Sequence, residues 1–287
     1  MNPTTQPVQF VLYAIFAPAI VSGVLLLLTL NRPGARAWIA ALAVGLGYAA
    51  GNAANLGLAP PFPPQQSTHA MFYIAFAAAL AGAMRGADAV PKVIGWLALL
   101  AVAAGGPWYL LRNLLQRWNS AEIASTLFFT ALAIAALTFV LDGWAERRRG
   151  AELPLVLWTT TALAAMALAL SGSLIYAQFG ASLAGVLGAC IVFTWFARDI
   201  SYSRGLTAVF AVVFCCFCLA GVLLSSLPRA AGILLFYSPL AAVAVDRGPV
   251  ARLSPRAGIA VRLLAVALIA GVAVLLAQLN RPAPSGY

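Results

Sequence analysis

The sequence predicts an all-α integral membrane protein, a polytopic bundle of about ten transmembrane helices. Hydrophobic residues make up 63% of its 287 residues and charged residues only 8%, whereas a soluble domain is about 45–50% apolar and about 25% charged. The apolar residues form runs long enough to cross a bilayer, and the basic residues lie between these runs. These observations exclude a water-soluble globular protein and a disordered one.

Ten apolar runs are candidates for crossing helices, because about 20 helical residues span a hydrocarbon core of about 30 Å. They are Val8–Leu30, Ala37–Leu58, His69–Met84, Val90–Gly106, Ala121–Leu141, Pro154–Tyr176, Gly180–Ala197, Gly205–Ser226, Arg229–Val245 and Ala257–Leu279. The third, fourth and ninth runs are short, so the sequence leaves open whether residues 69–84, 90–106 and 229–245 span fully. We expect residues 1–287 to form a single membrane domain, which divides into halves 1–145 and 154–287.

The basic residues predict the orientation of these helices. With the N-terminus outside, thirteen of the 17 Lys and Arg residues fall on the inner side, and four fall on the outer side: Arg112, Arg117, Arg229 and Arg281. Basic residues near helix ends resist translocation, so both termini are expected on the outer face. Asn-Arg-Pro follows both the first and the last run. If this triplet marked one side of the membrane, both runs would end on that side, whereas ten crossings place their ends on opposite sides. We favour its ordinary role as a helix stop.

The same basic residues are scattered singly, without a basic stripe, so nucleic acid is not an expected partner. Membrane lipids are the expected partners instead. Arg greatly outnumbers Lys in a chain rich in Ala and Gly, a composition typical of bacteria with GC-rich DNA. The sequence therefore predicts a multi-pass protein of a bacterial inner membrane.

Prolines are candidate helix breaks at Pro18, Pro239 and the triplet Gly105-Gly106-Pro107. A broken membrane helix can line a substrate site, although a simple packing kink is the commoner outcome. After the triplet, Trp108 and Trp118 lie on one helical face, and Arg112 and Arg117 lie on the opposite one. This pattern predicts that segment 107–118 is an interfacial helix on the outer face. The alternative is that the fourth crossing helix continues outward.

Small residues follow one stripe of the second helix, at Ala43, Gly47 and Gly51, and one stripe of the seventh, at Ala181, Gly185 and Ala189. Such stripes let a neighbouring helix approach closely, within the chain, in a homo-oligomer or in a partner. Polar residues collect near their outer ends, where they either hold helices together or contact a solute. The candidates are Asn52, Asn55, Ser171, Ser173, Tyr176 and Gln178.

All seven acidic residues fall in loops or within one turn of a helix end. Proton relays and cation pathways normally place an ionisable group inside the membrane, so the positions of these acidic residues do not favour such a pathway. Motifs for catalysis, metal binding or cofactor binding are not apparent in the sequence. We therefore expect neither an enzyme nor a bound cofactor.

Ten helices in this length are similar in size to drug/metabolite-type transporters, although the chain shares no motif with them. That similarity favours a permease or facilitator for a small neutral or apolar solute. The alternatives are a non-catalytic scaffold or assembly subunit of a larger complex and, third, a lipid-handling protein.

Overall fold

The computed structural model of the chain describes residues 12–30, 36–57, 59–148, 150–197, 200–246 and 253–281. Within these ranges the protein is all-helical, with a π-helical turn over Leu12–Phe16 that leads directly into the first of ten α-helices. The helices are α1 (Ala17–Leu27), α2 (Arg36–Leu56), α3 (Ser67–Gly86), α4 (Lys92–Leu115), α5 (Ser120–Ala145), α6 (Glu152–Leu170), α7 (Leu174–Phe193), α8 (Leu206–Leu224), α9 (Arg229–Asp246) and α10 (Pro255–Leu279). The predicted all-α fold is confirmed.

Nine of the described helices, α2 to α10, are long and apolar enough to cross a membrane. They include the three that the sequence left open, which contain 20, 24 and 18 residues as α3, α4 and α9. The first helical segment joins a π turn of 5 residues to an α-helix of 11 residues, so its described part is shorter than a full crossing. Its predicted start at Val8 lies outside the described residues.

The end of the sixth helix and the start of the seventh are among the boundaries that differ from the sequence prediction. The sixth helix was expected to reach Tyr176, but α6 ends at Leu170 and α7 begins at Leu174. Gly172, with a φ of 84°, adopts the left-handed conformation that commonly ends a helix. Tyr176 therefore belongs to the first turn of α7.

Helix α8 lies at the centre of the bundle. Of its apolar span, 83% is buried inside the protein, against 17% for α5 and 22% for α10. The outer helices turn large apolar side chains away from the bundle, among them Phe128, Phe129 and Leu268. Such a surface is compatible with lipid and not with water.

Backbones come closest where α2, α3 and α8 meet. A Cβ atom added at Gly205 would overlap the carbonyl oxygen of Ala37, and one added at Gly86 would lie 2.7 Å from the backbone nitrogen of Trp38. Only glycine allows this approach, which is the usual role of small residues between membrane helices.

Polar side chains collect at two opposite ends of the bundle. Salt bridges join the end of α3 to the end of α5, and the end of α9 to the start of α10. We call this the charged end, defined by Arg85, Asp142, Arg148, Arg204, Asp246 and Arg262. At the other end, here called the polar end, Ser67 at the start of α3 bonds to Tyr176 at the start of α7. Because the helices alternate in direction, each connection lies at one of these ends.

Candidate functional site

A group of uncharged polar side chains lies in the bundle interior where the first five helices meet the last five. We call it the interhalf polar cluster, and define it as Tyr48, Asn52 and Asn55 of α2, Ser67 of α3, and Tyr176 and Ser182 of α7. Three of the polar residues singled out from the sequence, Asn52, Asn55 and Tyr176, belong to it. Tyr48, Ser67 and Ser182 were not singled out.

Two hydrogen bonds cross the cluster from one half to the other. The amide nitrogen of Asn55 donates to the hydroxyl of Ser182 over 3.0 Å, and the hydroxyls of Ser67 and Tyr176 are 3.1 Å apart. Ser182 in turn donates to the backbone carbonyl of Gln178, 3.1 Å away on the same helix. The outer part of the cluster is therefore closed by side-chain contacts between the halves.

Deeper in the cluster, Tyr48 and Asn52 lie one helical turn apart on the same face of α2, and both are fully buried. Among the described residues, neither the Tyr48 hydroxyl nor either polar atom of the Asn52 amide makes a hydrogen bond of good geometry. The nearest polar groups to the Tyr48 hydroxyl are the Asn52 amide itself, Cys216 of α8 and Tyr176 of α7. Leaving such groups unpaired costs a few kcal/mol each in an apolar interior. Unpaired groups of this kind in a native protein call for an explanation.

The small-residue stripe of α2 brings these elements together. A Cβ at Gly47 would lie 2.9 Å from Cβ of Ser22, and one at Gly51 would lie 2.8 Å from Ser182. Helices α1 and α7 therefore pack against α2 within the chain, as the stripe predicts. The hydroxyl of Ser22 on α1 is another buried polar atom that makes no hydrogen bond of good geometry in the part of the chain described.

The side chains of the other sequence candidates, Ser171, Ser173 and Gln178, make no described hydrogen bond to the cluster. The Ser171 hydroxyl donates to the carbonyl of Ala167, 2.8 Å away in its own helix. Ser173 is the N-cap of α7 but makes no capping bond with its side chain. Gln178 contributes its backbone carbonyl only. Ser171 and Ser173 thus end one helix and begin the next.

None of the candidate helix breaks interrupts an α-helix. Pro18 lies in the first turn of α1, directly after the π turn, where a missing N–H is tolerated. Helix α4 continues through Gly105, Gly106 and Pro107. Pro239 lies inside α9, and the carbonyl of Leu235 that it leaves without a helical donor accepts a 2.8 Å bond from the hydroxyl of Ser238. Neighbouring groups satisfy such carbonyls in membrane helices.

Segment 107–118 does not form a separate helix, because its first nine residues are the last turns of α4. Trp108 is half exposed there, and Trp118 packs against the core beyond the helix end. Arg112 donates a hydrogen bond to the carbonyl of Pro64, in the loop that joins α2 to α3. Its guanidinium carbon lies 5.2 Å from the centre of the Tyr109 ring. Arg117 is exposed. The fourth helix therefore continues beyond Gly106 to Leu115, as in the alternative interpretation.

The charged end contains an ion network that the sequence analysis missed. Arg262 is 96% buried at its side chain and lies 2.7 Å from Asp246 and 3.1 Å from Glu152. Arg148 approaches the same Asp246 carboxylate at 2.7 Å. Glu152 begins α6 and Asp246 ends α9, and the pattern of crossings places both of these helix ends on the same side of the membrane. That shared side was the only feature of the sequence that pointed to this network.

Two cavities open on other parts of the described surface. One of about 700 Å³ is an apolar groove between the first helical segment, α6 and α7, floored by Ala181, Ala184, Gly185, Gly188 and Ala189. The other, of about 500 Å³, lies at the charged end and is lined by Arg85, Lys92, Asp142 and Arg147 among others. The interhalf polar cluster lines neither of them.

No protein-family model matches this chain, and no curated protein is significantly similar to it in sequence.

Proposed function

We propose that the protein is a facilitator that lets a small neutral solute cross a bacterial inner membrane between its first five and last five helices. The observation that supports this proposal is the pair of fully buried polar side chains, Tyr48 and Asn52, which make no hydrogen bond of good geometry to any other described residue. A hydroxyl and an amide can donate to and accept from a neutral polar molecule. They attract it without the ionisable group that an ion pathway needs.

The cluster is closed on its outer side, so passage requires the halves to separate at the polar end. Only two side-chain hydrogen bonds are described across this part of the interface, Asn55 to Ser182 and Ser67 to Tyr176. Hydrogen bonds between membrane helices are worth only about 0.6 kcal/mol each on average. Their loss is therefore a small barrier to opening, and Tyr48 and Asn52 lie directly beneath them.

In the orientation we propose, the charged end faces the cytoplasm and the polar end faces outward. Positive residues dominate the loops of the charged end, which is the arrangement that the positive-inside rule favours. The solute would then enter the cluster from the outer face.

Osmotic swelling of liposomes tests the proposal. Vesicles containing the purified protein are mixed rapidly with iso-osmotic glycerol or urea, and swelling is followed by light scattering. We expect faster swelling than in empty vesicles with at least one of these solutes, and loss of the increase in Asn52→Leu and Tyr48→Phe. Ser171→Ala, which lies outside the cluster, is the matched control and should swell like the wild type. Failure of the wild type to accelerate swelling with either solute would contradict the proposal.

A second candidate function, a membrane scaffold, is favoured by the apolar groove beside α7. Its floor consists of small residues, and its walls include Ile20 of α1 and Trp158 of α6. A partner helix lying against Gly185 and Gly188 would pack closely there. A scaffold would retain a stoichiometric partner during purification in mild detergent, and Gly188→Leu would release that partner without changing the swelling rates.

A further inference from the structure

The cavity at the charged end has the composition of a site for an anionic amphiphile. Four cationic side chains line it, Arg85, Lys92, Arg147 and Arg204, and two acidic ones, Asp142 and Glu146. The remaining wall is apolar, with Trp96, Phe139, Val140 and Val243. A pocket that combines excess positive charge with an apolar wall suits a molecule that has both an anionic group and a hydrocarbon part.

The acidic side chains in this cavity are already engaged. Asp142 accepts from Arg85 at 2.7 Å, from the backbone N–H of Arg204 at 2.6 Å and from the hydroxyl of Thr207. Glu146 lies 3.4 Å from Arg204. In contrast, Lys92 and Arg147 have no carboxylate within 4.0 Å among the residues described. The excess positive charge is therefore carried by these two side chains.

Arg85 lines the same cavity and carries a buried donor. Its side chain is 94% buried, fixed by Asp142 on one side and by the Trp96 ring, whose centre is 4.0 Å from the guanidinium carbon. Its second terminal nitrogen, Nη1, is buried and has no hydrogen-bond partner within the described ranges. A guanidinium nitrogen held in place and left unpaired is a donor that an anionic oxygen would satisfy.

The position of the cavity identifies the source of the anion. Lys92 is the first residue of α4, and Gly143 lies in the last turn of α5, so the cavity is at the level where membrane helices end. Phe139, one turn before Gly143 on α5, is 69% exposed on the lateral surface of the bundle. A phospholipid can place its headgroup beside Lys92 and Gly143 and its acyl chains along Phe139.

We propose that this cavity binds the phosphate headgroup of an anionic phospholipid, with Arg85 Nη1, Lys92 and Arg147 as its ligands. This site is separate from the interhalf polar cluster, and it does not depend on the proposed transport function. The two unpaired surface cations attract the headgroup, since basic side chains near a membrane surface favour anionic lipids. The buried Arg85 nitrogen fixes the phosphate in one position.

Native mass spectrometry of the delipidated protein in detergent tests this proposal, with phosphatidylglycerol, phosphatidylcholine and inorganic phosphate as separate probes. We expect phosphatidylglycerol to bind more tightly than phosphatidylcholine. Lys92→Gln combined with Arg147→Gln should weaken phosphatidylglycerol binding about 25-fold, on the order of 5-fold for each cation. The matched control is Arg117→Gln with Arg281→Gln, which removes the same charge at the polar end and should change the affinity less than twofold.

A third variant tests the buried donor. Arg85→Lys keeps a cation beside Asp142 but lacks the second terminal nitrogen, so binding should weaken even though the ion pair remains. Equal affinity for phosphatidylcholine, or equal loss in the control pair, would overturn the proposal. If inorganic phosphate bound as tightly as phosphatidylglycerol, the assignment of the anion to a lipid headgroup would be wrong. Thermal unfolding of each variant shows whether it is folded before its affinity is compared.

Discussion

The side-chain amide of Asn55 donates a 3.0 Å hydrogen bond to the hydroxyl of Ser182, and this bond joins the first five helices to the last five. It lies at the polar end, above Tyr48 and Asn52, which make no hydrogen bond of good geometry among the described residues. In the proposed facilitator, the same bond would link the packing of the two halves to the access of solute to the cluster.

The first prediction concerns the strength of that bond. Asn55→Leu and Ser182→Ala should each lower stability, and a double-mutant cycle between them should give a coupling of about 0.6 kcal/mol, the average for such bonds in membranes. Unfolding in mixed micelles by denaturing detergent measures the three variants against the wild type. A coupling of zero would show that the bond does not form in the folded protein.

The second prediction concerns the buried ion network at the charged end. Arg262→Met should destabilise the protein by about 3 kcal/mol, because it leaves the Asp246 and Glu152 carboxylates with one cation fewer in a buried position. Arg256→Met, an exposed position on the same helix, is the matched control and should change stability by less than about 0.5 kcal/mol. Equal effects of the two substitutions, measured by the same unfolding assay, would mean that the network contributes nothing.

The third prediction concerns the carbonyl that Pro239 leaves free. Ser238→Ala should lower stability by about 1 kcal/mol, because the Leu235 carbonyl then lacks a donor. Adding Pro239→Ala restores a backbone N–H at the position that bonds to this carbonyl, so the double variant should be more stable than Ser238→Ala alone. The unfolding temperatures of the wild type, the single variant and the double variant measure these differences. A double variant less stable than Ser238→Ala would disprove this role of Ser238.

The fourth prediction concerns orientation. Single cysteines are introduced at Ala89, an exposed loop position at the charged end, and at Ser120, an exposed position near the polar end. The four native cysteines are buried and free, and all are first replaced by alanine. A membrane-impermeant maleimide added to intact bacterial cells should label the cysteine at 120 and leave the one at 89 unlabelled. The opposite labelling would invert the orientation that we propose.

Much of the bundle could be predicted because it follows from local pattern. Gly47 and Gly51 lie one turn apart on one face, so a close helix contact there could be inferred from spacing alone. Pairing across the chain could not: Ser182 is 127 residues from Asn55, and nothing local to either residue indicates the other. Tyr48 was overlooked because a tyrosine within an apolar run resembles an ordinary core residue.

The continuous helix at Pro107 and the burial of Arg262 both depend on contacts between helices. A Gly-Gly-Pro triplet usually ends a helix in water, but in a membrane the neighbouring helices hold the chain in helical form and α4 continues to Leu115. A long basic side chain near the end of a membrane helix commonly extends toward the headgroups. Arg262 is buried instead because Asp246 and Glu152, from two other helices, are brought within ion-pair distance only by the fold.

Water access to position 52 tests most directly the claim that a solute passes through the interhalf polar cluster. Asn52→Cys is prepared in the cysteine-free background, reconstituted in liposomes and treated with a small, positively charged methanethiosulfonate reagent. Ala164→Cys, at a fully buried apolar position of α6, is the matched control. We predict that the cysteine at 52 reacts at least tenfold faster than the one at 164, because opening of the halves exposes it. Equal, negligible reactivity at both positions would contradict a pathway through the cluster.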